Sequence, residues 1–295
     1  MANEKAWGGQ SMVKPLKSVL LNPPASAGWG LSARTGEWKG LGYLHKPMSA
    51  RADEEHLRLR GALESAGCEV GILGNSEGLT LDAVYVHDAS FMTDFGAICL
   101  RMGKPARAAE SAAHRVFYEA NSIPVLATME KSCSAEAGDI VWLDARTLLI
   151  GRGYRTNAGG IEWLRGILSP HGITVIPAPL PHGAGPQACL HLMSLMSLLD
   201  KSTVLVDSPL LAVETVELLR SRKLRFVEIE PSERATLAAN VLSLGNNRLL
   251  TMEENPLTNA RLHDAGFEVM TFPGAEIGIN GGGGPTCLTR PLLRA

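Results

Sequence analysis

Apolar and polar positions along the chain follow two rhythms that take turns. Charged stretches with apolar residues at helical spacing give way, across a short joint, to brief runs of apolar and β-branched residues. Five such joints are present. Residues 52–66 predict a helix and 68–73 a strand. In the same way 106–120 lead into 123–127, 160–169 into 172–176, 210–222 into 224–229, and 255–265 into 266–270. Gly67, Gly172 and Gly266 stand at the first, third and fifth joints, where a helix C-cap favours a residue with positive φ.

Further strand-like runs lie between these units, at 18–22, 97–101, 140–144, 147–150, 203–206 and 248–251. The recurring unit is strand, helix, strand, about fifty residues long and repeated five times. A unit of that size cannot bury its apolar face alone, so the five must pack around a common axis. The fold class expected is α/β, a five-bladed pseudo-symmetric propeller in a single domain over residues 1–295. A doubly wound sheet is the alternative. It requires a glycine-rich turn between an early strand and its helix. Gly8 and Gly9 follow no strand, and Asn22-Pro23-Pro24 follows the first one.

Composition narrows the function class. Of 295 residues, 45% are hydrophobic and 20% charged, with a net charge of −2. That balance provides no basic field for nucleic acid or an anionic membrane. No apolar run reaches the ~18 residues of a membrane span, and residues 1–17 lack the apolar centre of a signal peptide. A cytoplasmic protein is expected, with a small molecule as its partner and homo-oligomerisation left open. The five cysteines are an odd number without a Cys-x-x-Cys, which reads as free thiols. No zinc-like or EF-hand-like spacing occurs, so neither a metal nor a cofactor is expected.

Five local features could carry chemistry. Gly281-Gly282-Gly283-Gly284-Pro285-Thr286-Cys287 strips side chains from the backbone ahead of a thiol. Cys287 is therefore a candidate nucleophile, which needs a base or a positive charge beside it. A flexible tail with a buried cysteine is the alternative. Residues 189–200 read as an apolar helix or strand-to-helix element holding His191, either a core histidine or a proton-transfer group. His171 and His182 compete with it by type. Glu136 and Asp139 flank a small pair just before a strand; they could orient a histidine, hold a cationic group or form a plain acidic turn. Asp88 and Asp94 interrupt an apolar segment six residues apart, on one face if the segment is an extended strand. Arg155, in a turn after a strand, could grip a carboxylate with two bonds, and Arg107 could do likewise.

The order of these features resembles the guanidino-group-modifying, or pentein, superfamily: Asp-x5-Asp, Arg, Glu-x-Gly-Asp, Gly-x-Gly-x-Arg-Thr-Asn, Leu-His-Leu, then Gly-Gly-x-Pro-x-Cys. It is most similar to the dimethylarginine dimethylaminohydrolase branch, with arginine deiminases and amidinotransferases as cousins, from about Val84 onward. The resemblance implies a five-bladed propeller, in agreement with the repeat count. It implies Cys287 as nucleophile, His191 as general acid and base, and Glu136 as the carboxylate supporting histidine and guanidinium. It further implies Asp94 on the guanidinium nitrogens, Asp88 as a substrate-amine contact, and Arg107 and Arg155 on a substrate carboxylate. Two positions depart from the pattern. Thr93 stands where dimethylarginine hydrolases carry Glu, and Met193 where deiminases and amidinotransferases carry the Asp of His-x-Asp. Both would make the guanidine pocket less anionic and favour N-substituted substrates.

The implied activity is hydrolysis of a C–N bond in a guanidino compound through a covalent thiouronium, giving a ureido product and an amine. Transfer of the amidino group to an acceptor amine is one alternative. A binding protein without catalysis is another, and the presence of both Cys287 and His191 argues against it.

Overall fold

The computed structural model describes residues 6–34, 36–130, 133–186, 188 and 190–295. Its strands form five three-stranded sheets, not one continuous doubly wound sheet. Four of the sheets repeat one order: an antiparallel hairpin, a helix, then a third strand parallel to the second. β1 (Leu16–Leu21), α1 (Glu37–Leu41), α2 (Ser49–Ser65) and β2 (Glu69–Ile72) precede them in the chain. The first full unit is β3 (Ser90–Thr93), β4 (Gly96–Cys99), α3 (Glu110–Ala120) and β5 (Val125–Thr128). The second is β6 (Ile140–Asp144), β7 (Thr147–Arg152), α4 (Ala158–Leu168) and β8 (Thr174–Pro179). The third is β9 (Met196–Leu198), β10 (Thr203–Val206), α5 (Val213–Ser221) and β11 (Arg225–Glu228). The fourth is β12 (Leu242–Gly245), β13 (Arg248–Met252), α6 (Pro256–Asp264) and β14 (Glu268–Phe272). The fifth sheet joins distant segments: β1 pairs parallel with β2 and antiparallel with β15 (Arg290–Arg294).

The second unit shows how the pattern is made. In α4, Ile161, Leu164 and Leu168 recur at helical spacing and are buried. Asn157 caps that helix, its side chain accepting from Gly160 N at 2.8 Å. Across the sheets, middle strands such as β4 and β10 are buried throughout, while third strands such as β5 and β11 are half-exposed. A strand paired on both sides, between a helix and the ring centre, loses contact with water; one at the sheet edge keeps it.

One edge strand of each of the five sheets meets the others at the centre. Phe91 of β3, Trp142 of β6, Met196 of β9, Leu242 of β12 and Pro291 of β15 line one axial cavity of about 30 Å³, room for about one or two waters. The five sheets therefore stand around a common axis. Gly67, Gly172 and Gly266 all have positive φ, at 86°, 71° and 98°. The second and fourth joints reach the same backbone region without glycine, through Ser122 and Lys223 at 55° and 58°. Among the described residues, no helix is long and apolar enough to cross a membrane.

Two expectations are corrected here. Residues 88–94 are not one extended strand, because β3 begins at Ser90 and Asp94 falls in the tight turn to β4. Strand alternation therefore does not relate Asp88 to Asp94. The segment around His191 is not a helix but a single 3-10 turn, Leu192–Ser194, followed by β9. Its apolar run is buried because it enters the ring centre. Cys189, at the start of that segment, lies outside the described residues.

Candidate active site

Each inner strand is entered through a connection that carries a polar side chain. Asp88 precedes β3, Glu136 precedes β6, His191 precedes β9, Asn240 precedes β12 and Cys287 precedes β15. Repetition of the backbone unit thus carries five residues, far apart in sequence, toward one end of the axis. Asp88, His191 and Cys287 line a cleft of about 210 Å³ together with Asp82, Tyr85, Lys104, Arg107 and Arg155.

His191 Nε2 lies 2.8 Å from Glu136 Oε2. Burial pushes the Glu136 carboxyl up, but the bond from His191 and the charge of that ring outweigh it and hold Glu136 at about 2. An ionised carboxylate can only accept, so Nε2 carries the proton. The other ring nitrogen, Nδ1, is 4.0 Å from Asp88 Oδ1. Burial also pushes Asp88 up, yet His191 and Arg107 hold its carboxyl well below the usual range. Both carboxylates flanking the histidine are therefore charged.

Each residue of Glu136-Ala137-Gly138-Asp139 beyond the alanine has a task. A Cβ on Gly138 would sit 2.5 Å from His191 Nδ1 and 2.9 Å from Asp88 Oδ1, so only glycine admits the ring. Gly138 N donates to Asp88 Oδ1 at 3.0 Å. Asp139 Oδ1 accepts from Leu192 N at 2.9 Å, which fixes the backbone beside His191. Burial pushes Asp139 up to about 6.

On the other wall, Asn240 Nδ2 donates to Cys287 Sγ at 3.1 Å while Asn240 Oδ1 accepts from Thr286 N at 2.9 Å. The second bond sets which end of the amide meets the sulfur. The glycine run is a close-approach device, not a flexible tail. A Cβ on Gly283 would meet the Tyr85 ring at 2.4 Å, and one on Gly284 would meet Asn240 at 2.8 Å.

Four site expectations are corrected by this geometry. Asp94 is exposed at the β3–β4 turn, its Oδ1 accepting from Gly9 N at 2.9 Å. Thr93 is buried, and its hydroxyl donates to Gly96 O at 2.7 Å within that same turn. Met193 is buried against the axial cavity, not the cleft, because the 3-10 turn carries it past His191 into the ring centre. Arg107 borders the cleft but is committed inside the protein. Its Nε and Nη2 donate to Glu110 at 2.7 and 2.8 Å, its Nη1 to Asp88 at 2.6 Å, and its Nη2 also to Tyr85 O at 2.7 Å. It holds Asp88 in place. Arg155 lines the cleft as expected, with Nη1 3.3 Å from Glu136 Oε2.

The six-residue spacing that points to Asp88 and Asp94 is met equally by Asp82 and Asp88, and that earlier pair shares the cleft. Asp82 was therefore signalled by spacing, and Asn240 by its place in the repeat. Lys104 had no signal. The competing histidines are exposed: His171 stacks on Phe95, and His182 Nδ1 bonds Tyr154 Oη at 2.8 Å.

Asp88, Glu136 and His191 bring donor atoms within 4.8 Å of one another, a set that could hold a metal ion. Their oxygens already accept from Arg107, His191 and the backbone N–H groups of Gly103, Lys104 and Gly138. A divalent ion would displace those donors and face a guanidinium. With these donors in place, the set is poorly suited to a divalent ion. Cys68 and Cys99 are free thiols.

Fold and site together define a class: five α/β sheets around an axis, with a cysteine, a histidine and paired carboxylates at one end, the layout of guanidino-modifying proteins. A family model described as arginine deiminase matches residues 81–222 and 211–294, and the chain belongs to that family, within the pentein superfamily. The uncharacterized protein YkgA of Bacillus subtilis is 28% identical over 243 residues, 82% of this chain and 80% of its own. The N(G),N(G)-dimethylarginine dimethylaminohydrolase of Streptomyces coelicolor is 31% identical over 187 residues, 63% of this chain and 66% of that protein. The structure of the dimethylarginine dimethylaminohydrolase of Pseudomonas aeruginosa complexed with citrulline matches with a TM-score of 0.76 at 25% identity. That match covers 94% of this chain and 99% of the other.

Proposed function

We propose that the chain hydrolyses a guanidino compound, with Cys287 as nucleophile and His191 as general acid and base. The observation that carries this reading is the shared cleft: Cys287, His191 and Asp88 line it, and Glu136 holds the His191 ring at 2.8 Å. Asp88 binds guanidinium nitrogens and presents the central carbon to the thiolate, which the positive substrate favours. The sulfur–carbon bond forms, and one C–N bond breaks as His191 gives its proton to the departing amine. Water then attacks the thiouronium on Cys287 while His191 takes a proton from it. The C–S bond breaks, the thiolate returns, and a ureido product leaves. General acid–base help of this kind is worth roughly 10²–10⁴ in rate, and positioning by Asp88 adds to it.

Asp82 and Lys104 border the same cleft, and Arg155 takes an anionic group on the substrate. The neighbour of the guanidinium-binding acid is then His87, not Thr93. No metal or cofactor takes part. A reducing, cytoplasmic setting suits a thiol nucleophile. The complex of the Pseudomonas aeruginosa relative with citrulline, a ureido compound, supports the reaction class.

Turnover in water enriched in oxygen-18 tests the proposal. Arginine, N-methylarginine and simpler guanidines are offered, with and without glycine as acceptor. The expected result is one heavy oxygen in the ureido product, release of an amine, and no effect of glycine. An amidino group found on the glycine would make the protein a transferase. Equal turnover by Cys287→Ser and the parent would remove the assigned nucleophile.

A further inference from the structure

We infer that the cleft selects ω-guanidino acids that lack an α-ammonium group, with Lys104 as the residue that sets this choice. The inference rests on the proposed hydrolysis at Cys287 and extends it to the substrate's far end. Lys104 Nζ lies 2.5 Å from Asp82 Oδ2 and donates to Leu41 O at 2.6 Å. Its side chain is about one-fifth exposed, while Asp82 is buried. Both line the cleft that holds Cys287 and His191.

An ammonium has three donors. Two are used on Asp82 and Leu41, which leaves one for a ligand. A substrate carboxylate suits that donor, and Arg155 lines the same cleft. A substrate ammonium does not. Asp82 holds Lys104 through Oδ2, and an ammonium drawn to its other oxygen would stand beside Lys104 Nζ. Like charges set side by side suppress the wrong partner, which adds to the selection made by favourable contacts with the right one. Asp88, whose oxygens also hold Arg107 and Gly138 N, keeps lone pairs for the guanidinium end, and Lys104 with its partner Asp82 borders the same cleft. A molecule with a guanidinium at one end and a carboxylate at the other can meet Asp88 with the first and Lys104 with the second.

The probes are 4-guanidinobutanoate, arginine and agmatine, assayed with the full chain for ureido product. The expected kcat/KM for 4-guanidinobutanoate exceeds that for arginine by about tenfold or more, with agmatine lowest. Lys104→Met keeps the stem and removes the charge, and should shrink that ratio by about tenfold. Protection of the parent's Cys287 against alkylation by 2-chloroacetamidine gives a second readout that needs no variant. 4-Guanidinobutanoate should protect at lower concentration than arginine. Arginine used or bound as well as 4-guanidinobutanoate, or a ratio unmoved in Lys104→Met, would overturn the inference and leave the catalytic assignment standing. No turnover of any probe and no labelling of Cys287 would overturn both.

Discussion

Asn240 reaches the reacting sulfur with an amide N–H whose direction is fixed by Thr286, so it favours the thiolate over the thiol. A hydrogen bond to a charged group contributes about 1.5–3 kcal/mol. Asn240→Ala should therefore lower kcat/KM by roughly 10–100-fold and move the alkylation of Cys287 by iodoacetamide to higher pH. An unshifted alkylation profile would reduce Asn240 to a packing residue. Glu136 supplies a second test at this scale, in stability. Its carboxyl is held at about 2 against an ordinary 4.5. A depressed carboxyl stabilises the fold fully above its unfolded value and loses that contribution as pH falls toward its folded one. The melting temperature should drop between pH 4.5 and about 2, and Glu136→Gln should flatten that drop. A parallel drop in the variant would assign the acid sensitivity to other groups.

The five helix-to-strand joints were readable because each joins an amphipathic helix to a short apolar run. They share one backbone solution, a residue with positive φ, and two of them reach it without glycine. Lys223→Gly should stabilise the protein by about 0.5–1 kcal/mol, since the left-handed region costs a side chain ~1–2 kcal/mol and glycine gives back part of that in chain entropy. Thermal unfolding would show a rise of about 1–3 °C; no rise, or a fall, would mean that the Lys223 side chain supports the joint. The inner strands were harder to read. β3, β9, β12 and β15 are short and enter the crowded ring centre, so polar alternation gives little to read in them. That is why the segment through His191 resembles a helix in sequence, and why the β3–β4 turn at Asp94 goes unseen. With the turn unplaced, two aspartate pairs share one spacing, and the later pair is chosen over the one that borders the cleft.

Over the whole molecule the repeat explains both the fold and the site. β15 closes the ring by pairing with β1, which brings Cys287 to the axis beside residues of all four other units. Arg290, three residues on, donates to His87 O and Ser90 O at 3.0 and 2.7 Å, tying β15 to the backbone around Asp88. The motif order singled out Cys287, His191, Glu136 and Arg155 because each lies beside residues of restricted type, glycines above all. Lys104 depends on a salt bridge that forms only in the folded ring, and no local pattern announces it. The central claim is that Cys287 carries the amidino group during turnover. The measurement is the mass of proteolytic peptides from protein quenched in acid, the parent while it turns over the best-used guanidine, and both the parent and His191→Gly with the matching S-methyl isothiourea, whose methanethiolate leaves without a proton from His191. The account predicts one thiouronium-sized addition, on the peptide holding Cys287, which accumulates in His191→Gly because water is no longer activated. An addition on another residue, or sustained turnover by Cys287→Ser with no addition anywhere, would contradict it.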